Sequence, residues 1–125
     1  MSNKNKKQFG VWMDTHHATI VGRANADATG FSVLSVVKNA GATANSSEKS
    51  EHNDEKTLKH KFYNEILSQM QNAEEVHVTG TGTSQEQFMH FMLHNPQFKN
   101  TVIKESTANN MSDEKLVEYF DTKFK

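Results

Sequence analysis

Near the start of the chain Phe9, Val11 and Met13 interleave with Gly10, Trp12 and Asp14. Large apolar groups on both faces of one short segment mark a strand covered on both sides, hence a central one, ending near Thr15. Residues 18–23 repeat the strand pattern. With only Thr15-His16-His17 between them, the two segments predict an antiparallel hairpin. Turn-forming residues 25–30 lead to a third strand, residues 31–37, which completes a meander.

The pattern then changes twice. Residues 39–54 carry no apolar side chain larger than alanine and no periodicity, so they predict a mobile loop. Leu58, Phe62, Ile66 and Met70, with Tyr63 and Leu67 beside them, recur at helical spacing and predict an amphipathic helix over 55–71. Residues 75–79 form a fourth strand. Thr83 with Glu86, or Ser84 with Gln87, has capping-box spacing for a second helix with Phe88, Phe91 and Met92 inward, ending before Asn95-Pro96. Residues 101–105 make a fifth strand. Ser112 then caps a last helix, with Asp113 and Glu114 in its first turn, Lys123 near its end, and Leu116, Val117, Phe120 and Phe124 inward.

Three strands of meander followed by alternating helices and strands predict a three-layer α/β/α fold. Right-handed crossovers place the fourth strand beside the first and the fifth outside it. The resulting five-stranded mixed sheet, in the order 3-2-1-4-5, is that of the ribonuclease H-like class. The expected organisation is a flexible basic tail over 1–8 and a single α/β domain over 9–125 that carries the mobile loop 39–54.

Composition narrows the partners. At 125 residues the chain is long enough for one domain with a real core, and it contains no cysteine, so disulfides and thiolate metal sites are excluded. The polar, basic opening residues carry no apolar signal region, and no run approaches the about 18 apolar residues of a membrane span. A cytoplasmic protein is expected. With 14 Lys+Arg against 15 Asp+Glu the net charge is −1, which gives no global basic field. Any RNA contact must be local, and the candidates are Lys4, Lys6 and Lys7 in the tail, Lys49 in the loop, and Lys56, Lys59 and Lys61 on the first helix. Asp54, Glu55 and Glu65 are interspersed with the last group, so a solvated helix face is the plain alternative.

The stretch Gly80-Thr81-Gly82-Thr83-Ser84 joins a buried strand to a helix, the arrangement in which backbone N–H groups can face an anion. An ordinary connector, with glycines serving positive φ, explains the same residues. For a two-metal nuclease, Asp14 and Glu65 supply two carboxylates. The fourth strand ends in Thr79-Gly80 where a further one is needed, and Asp14 reads more simply as a turn residue. His90 and His94 share a helix face without the glutamate of the zinc-protease pattern and read as solvent-facing. His77, between Val76 and Val78, reads as a hydrogen-bonded structural histidine. No Ser-His-Asp arrangement emerges from the spacing, and the residues imply no cofactor and no metal.

The order of elements and the opening Val11-Trp12-Met13-Asp14-Thr15-His16-His17-Ala18-Thr19-Ile20 resemble the middle domain of the eukaryotic and archaeal peptide-chain release factors and of Pelota, together with stand-alone bacterial relatives. Gly80-Thr81-Gly82 is similar to that family's Gly-Pro-Gly turn, and Val102 to Glu105 with Ser112 to Leu116 is similar to its last strand and helix. Two features of the family are replaced. The release-factor loop carries Gly-Gly-Gln, the tripeptide that positions water on peptidyl-tRNA, whereas Gly41 to Ser50 contains none. Thr81 stands for the proline of the turn, and Gln85 stands where a lysine often follows it. The resemblance therefore implies a non-catalytic, translation-associated accessory protein that binds ribosome or tRNA, in hibernation or stress. A protein-interaction module without RNA binding is the alternative, and a Mg-dependent nuclease a second one.

Overall fold

The structure, a computed structural model, describes residues 7–23, 30–39 and 52–124, with side chains from residue 58 onward in the first helix. Its elements are β1 (Gln8–Met13), β2 (His17–Gly22), β3 (Ser32–Lys38), α1 (His52–Ser68), β4 (Glu75–Gly80), α2 (Ser84–Leu93), a short 3-10 turn at Pro96–Phe98, β5 (Val102–Thr107) and α3 (Asp113–Lys123). The sheet order is β3-β2-β1-β4-β5, as the hydrophobic pattern predicts. β1 pairs antiparallel with β2, from Phe9↔Gly22 to Met13↔Ala18, and parallel with β4, from Gln8↔Glu75 to Met13↔Gly80. β5 continues the parallel half beyond β4. All six residues of β1 are buried, the signature of a strand in the middle of three layers.

One face of the sheet packs on α1 and α2. Phe9, Val11, Met13, Ile20, Val76 and Val78 meet Phe62, Ile66, Met70, Phe88 and Met92 there in the larger apolar cluster. The other face packs on α3, where Trp12 and Val21 meet Leu116 and Phe120 in a smaller one. Period-two alternation along β1 and β4 makes this division. Gly10 sits opposite His77 on the α3 face, and a Cβ added to it would fall inside the Phe120 ring, so the absence of a side chain sets how closely α3 approaches.

The element ends differ from expectation in several places. Gln8, assigned to the tail, is the first residue of β1; its amide donates to Glu75 Oε1 at 2.9 Å and accepts from Arg23 Nη1 at 2.9 Å, which satisfies a polar side chain in a buried position. Lys7 is tied down as well, since its carbonyl accepts from Glu74 N at 2.8 Å. Helix α1 begins at His52, three residues inside the segment expected to be loop, and ends at Ser68 rather than residue 71. Asn39, at the other end of that segment, is held by its backbone N–H to His16 O at 2.8 Å and its amide to Thr15 O at 3.0 Å. Residues 1–6 and 40–51 of the expected tail and loop lie outside the described residues. β5 runs to Thr107, two residues beyond expectation, because Ala108 N continues the ladder to Gly80 O at 2.8 Å.

Two local devices also differ. Thr83 is the N-cap of α2 but has helical φ and ψ and makes no side-chain capping bond, so neither capping box is formed. No described glycine has positive φ. Gly80 is required for space instead: a Cβ there would strike the Met13 carbonyl oxygen and the Gln85 amide. The cap predicted for α3 is present, Ser112 Oγ accepting from Lys115 N at 3.3 Å.

Candidate functional site

The carboxyl end of β1 opens into a cleft of about 440 Å³ between the β1–β2 hairpin, α1 and α2. Ligands of open α/β sheets bind beyond the carboxyl ends of the parallel strands, where connections diverge. The hairpin side of the cleft is formed by Asp14, Thr15 and His16, and Asn39 closes it. Asp14 is committed to the turn, its Oδ1 accepting from His16 N at 2.8 Å and His17 N at 2.9 Å, with His17 Nδ1 at 3.4 Å. This is the turn role expected from the sequence. Glu65 does not reach the cleft, and among the described residues no three of His, Cys, Asp and Glu gather as a metal-ligand group.

Lys59 of α1 crosses the cleft and donates to Gln87 Oε1 of α2 at 2.6 Å. Its ammonium also lies 6.0 Å from the Tyr63 ring centroid. Tyr63 is buried, which pushes its phenol above the ordinary range and keeps it neutral. Thr83 and Ser84 line the same cleft at the amino end of α2, where free N–H groups and the helix dipole favour negative charge. One lysine of the candidate set thus lines the same cleft as two residues of the candidate anion turn. Gly80, Thr81 and Gly82 do not line the cleft. Gly82 N instead donates to Gln85 Oε1 at 3.3 Å, and Gln85 Nε2 donates to Glu105 Oε2 at 3.3 Å.

The other lysines are dispersed. Lys7 precedes β1 at its amino end, a strand length of roughly 20 Å from the cleft. Lys61 is exposed on α1, and Lys56 lies one helical turn before Lys59 along the same helix. Lys4, Lys6 and Lys49 lie outside the described residues. His90 and His94 are exposed at the end of α2, where His94 Nδ1 lies 2.8 Å from the His90 carbonyl oxygen, a helix-end contact.

Under α3 the structure holds a polar cluster that sequence reasoning found only in part. His77 is buried, as expected, and its Nε2 lies 2.8 Å from Ser106 Oγ. Ser106 Oγ also meets Thr79 Oγ1 at 2.9 Å and the Tyr119 hydroxyl at 2.7 Å. Burial first, then Lys123 and Lys104, hold the imidazole below its usual pKa, while Glu75 and Glu105 act against them. The available signal was a polar residue at matching positions of the buried strand β4 and the edge strand β5, Thr79 and Ser106, which pair in register. Gln85 gave none: it lies in an exposed-looking first helical turn, yet it is fully buried.

No family profile matches the sequence, and no curated protein matches it. Solved structures do. The Pelota protein of Thermoplasma acidophilum is similar over 92% of this chain and 32% of its own, with 17% identity and a TM-score of 0.60. The Pelota of Archaeoglobus fulgidus is similar over 96% of this chain and 35% of its own, with 11% identity and a TM-score of 0.55. The chain thus spans about a third of the length of these structures, and the likeness is one of fold. Among the described residues no helix is long and apolar enough to cross a membrane.

Proposed function

We propose that this chain is a non-catalytic, translation-associated accessory protein that docks on ribosomal RNA or tRNA. The observation that carries the reading is the cleft that Lys59, held to Gln87 of α2, lines together with Thr83 and Ser84 at the amino end of that helix, on a fold shared with part of Pelota. A backbone phosphate would meet there one lysine ammonium, two hydroxyls and the first N–H groups of a helix. Asp14 on the hairpin side engages Oδ1 with two backbone N–H groups, whose dipoles offset part of its charge. The tail lysines Lys4, Lys6 and Lys7 and the loop lysine Lys49 belong to the proposal as further phosphate contacts, with a role in hibernation or stress.

Co-sedimentation with ribosomes tests it. The intact protein should pellet with ribosomes at low salt and be released as salt rises, and Lys59→Glu should release at lower salt than wild type. An intact protein that stays in the supernatant at low salt overturns the reading.

The second reading, a protein-interaction module, is favoured by the sheet edge. β3 is the outermost strand, with Leu34 38% and Val36 49% exposed. An extended peptide can add to such an edge. Its mark would be a single protein captured by RNA-free material and lost when Val36 is replaced by lysine.

A further inference from the structure

We propose that α3 is an acid-releasable cover on the sheet, latched while His77 is neutral and let go when that imidazole gains a second proton. The inference is independent of the RNA reading and rests on the cluster beneath α3. Ser106 donates its one hydroxyl proton to Thr79 Oγ1 at 2.9 Å. With that proton committed, Ser106 Oγ accepts from the Tyr119 hydroxyl at 2.7 Å and from His77 Nε2 at 2.8 Å. The neutral ring therefore carries its hydrogen on Nε2, and every hydroxyl in the cluster is satisfied.

Three rings of α3 close over His77: Tyr119, Phe120 and Phe124, with centroids at 6.2, 6.0 and 6.5 Å. A proton on Nδ1 places positive charge beneath this apolar cover, where water cannot solvate it. The charged groups around the ring are Lys123 from α3 and Lys104 from β5, which oppose the proton, and Glu75 and Glu105, which favour it. From β1 the register partner of His77 is Gly10, which brings no charge. Moving α3 away lets water reach the imidazolium and takes Lys123 with it, so protonation and release are coupled.

Release can be local because the two layers differ in depth. Among the described residues the α3 face holds four buried apolar residues, whereas the α1 and α2 face holds sixteen. The thinner layer opens at lower cost, leaving the thicker one assembled.

Trp12 is the only tryptophan, and its indole Nε1 donates to Ala108 O at 3.1 Å beneath the cover. Its emission reports whether α3 is seated once His17, whose ring centroid lies 5.5 Å from the indole, is replaced by glutamine in every chain compared. Between about pH 7.5 and about pH 5, the range in which imidazole changes charge, Trp12 emission should shift to longer wavelength and iodide quenching should rise several-fold, while most of the helical circular-dichroism signal stays. His77→Gln, which cannot titrate, should remove the transition. The same acid transition in the His77→Gln variant overturns the proposal, and so does loss of the helical signal together with the emission change. Should His77→Gln fail to fold, an NMR titration of the His17→Gln chain decides: the His77 ring and the Trp12 indole should share one midpoint, and a His77 that titrates without moving Trp12 overturns the latch.

Discussion

Gly10 of β1 and Phe120 of α3 are packed so that the ring occupies the place a Cβ on residue 10 would take. Phe120 is fully buried, and His77 lies beside both, opposite Gly10 in the sheet and 6.0 Å from the ring. Gly10→Ala should therefore destabilise the fold by about 1–3 kcal/mol through overpacking. Phe120→Ala should cost about 3–5 kcal/mol. In urea unfolding the double variant should lose less than the sum, because each change relieves the clash or fills the void left by the other. Strict additivity would show that the two residues do not meet.

Gln85 joins three pieces of chain, since its side chain accepts from Gly82 N and donates to Glu105 from full burial. Gln85→Leu keeps the volume but removes both hydrogen bonds, and about 1 kcal/mol of stability should be lost. A urea midpoint equal to that of wild type would assign the stabilisation to packing alone.

Lys59 bridges α1 and α2 at the surface, so Lys59→Ala should leave stability within about 0.5 kcal/mol. Its effect should appear instead in RNA association measured against salt concentration. Loss of one phosphate contact reduces the slope of log affinity on log salt by about 0.7–0.9. An unchanged slope would remove Lys59 from the interface.

The pH dependence of stability has a defined sign. Burial, then Lys123 and Lys104, depress the pKa of folded His77 below the about 6.5 of an unfolded chain. As pH falls the unfolded chain takes the proton first. The contribution of the neutral ring is complete above about pH 6.5 and is lost as pH falls through the folded value. Urea midpoints should therefore decline over that interval in the wild-type chain and decline less in His77→Gln. Equal declines would place the acid sensitivity elsewhere.

The sheet was legible because its signal is repeated. Phe9, Val11, Trp12 and Met13 load both faces of one strand, which marks it as central, and the short hairpin and right-handed crossover set β2 and β4 on either side. Leu58, Phe62, Ile66 and Met70 likewise declare α1, although its start at His52 was hidden because His52, Asn53 and Asp54 carry no apolar stripe. The cleft was legible only as separate pieces. Lys59 and Ser84 are 25 positions apart, and nothing in their spacing says that α1 and α2 share one end of the sheet. The burial of Gln85 was not legible, because a polar residue in a first helical turn is ordinarily solvated and its partner Glu105 lies 20 positions away on β5.

The mixed pairing of β1 also dictates how the chain assembles. Its antiparallel bonds to β2 join residues separated by a short hairpin and form with little loop closure, whereas the parallel register that joins Gln8 to Glu75 spans 67 positions. The meander should be structured in the folding transition state, and β4 should dock after it. Substitutions at Ile20 would then act mainly on the refolding arm of a chevron, and those at Val78 mainly on the arm that reports its loss.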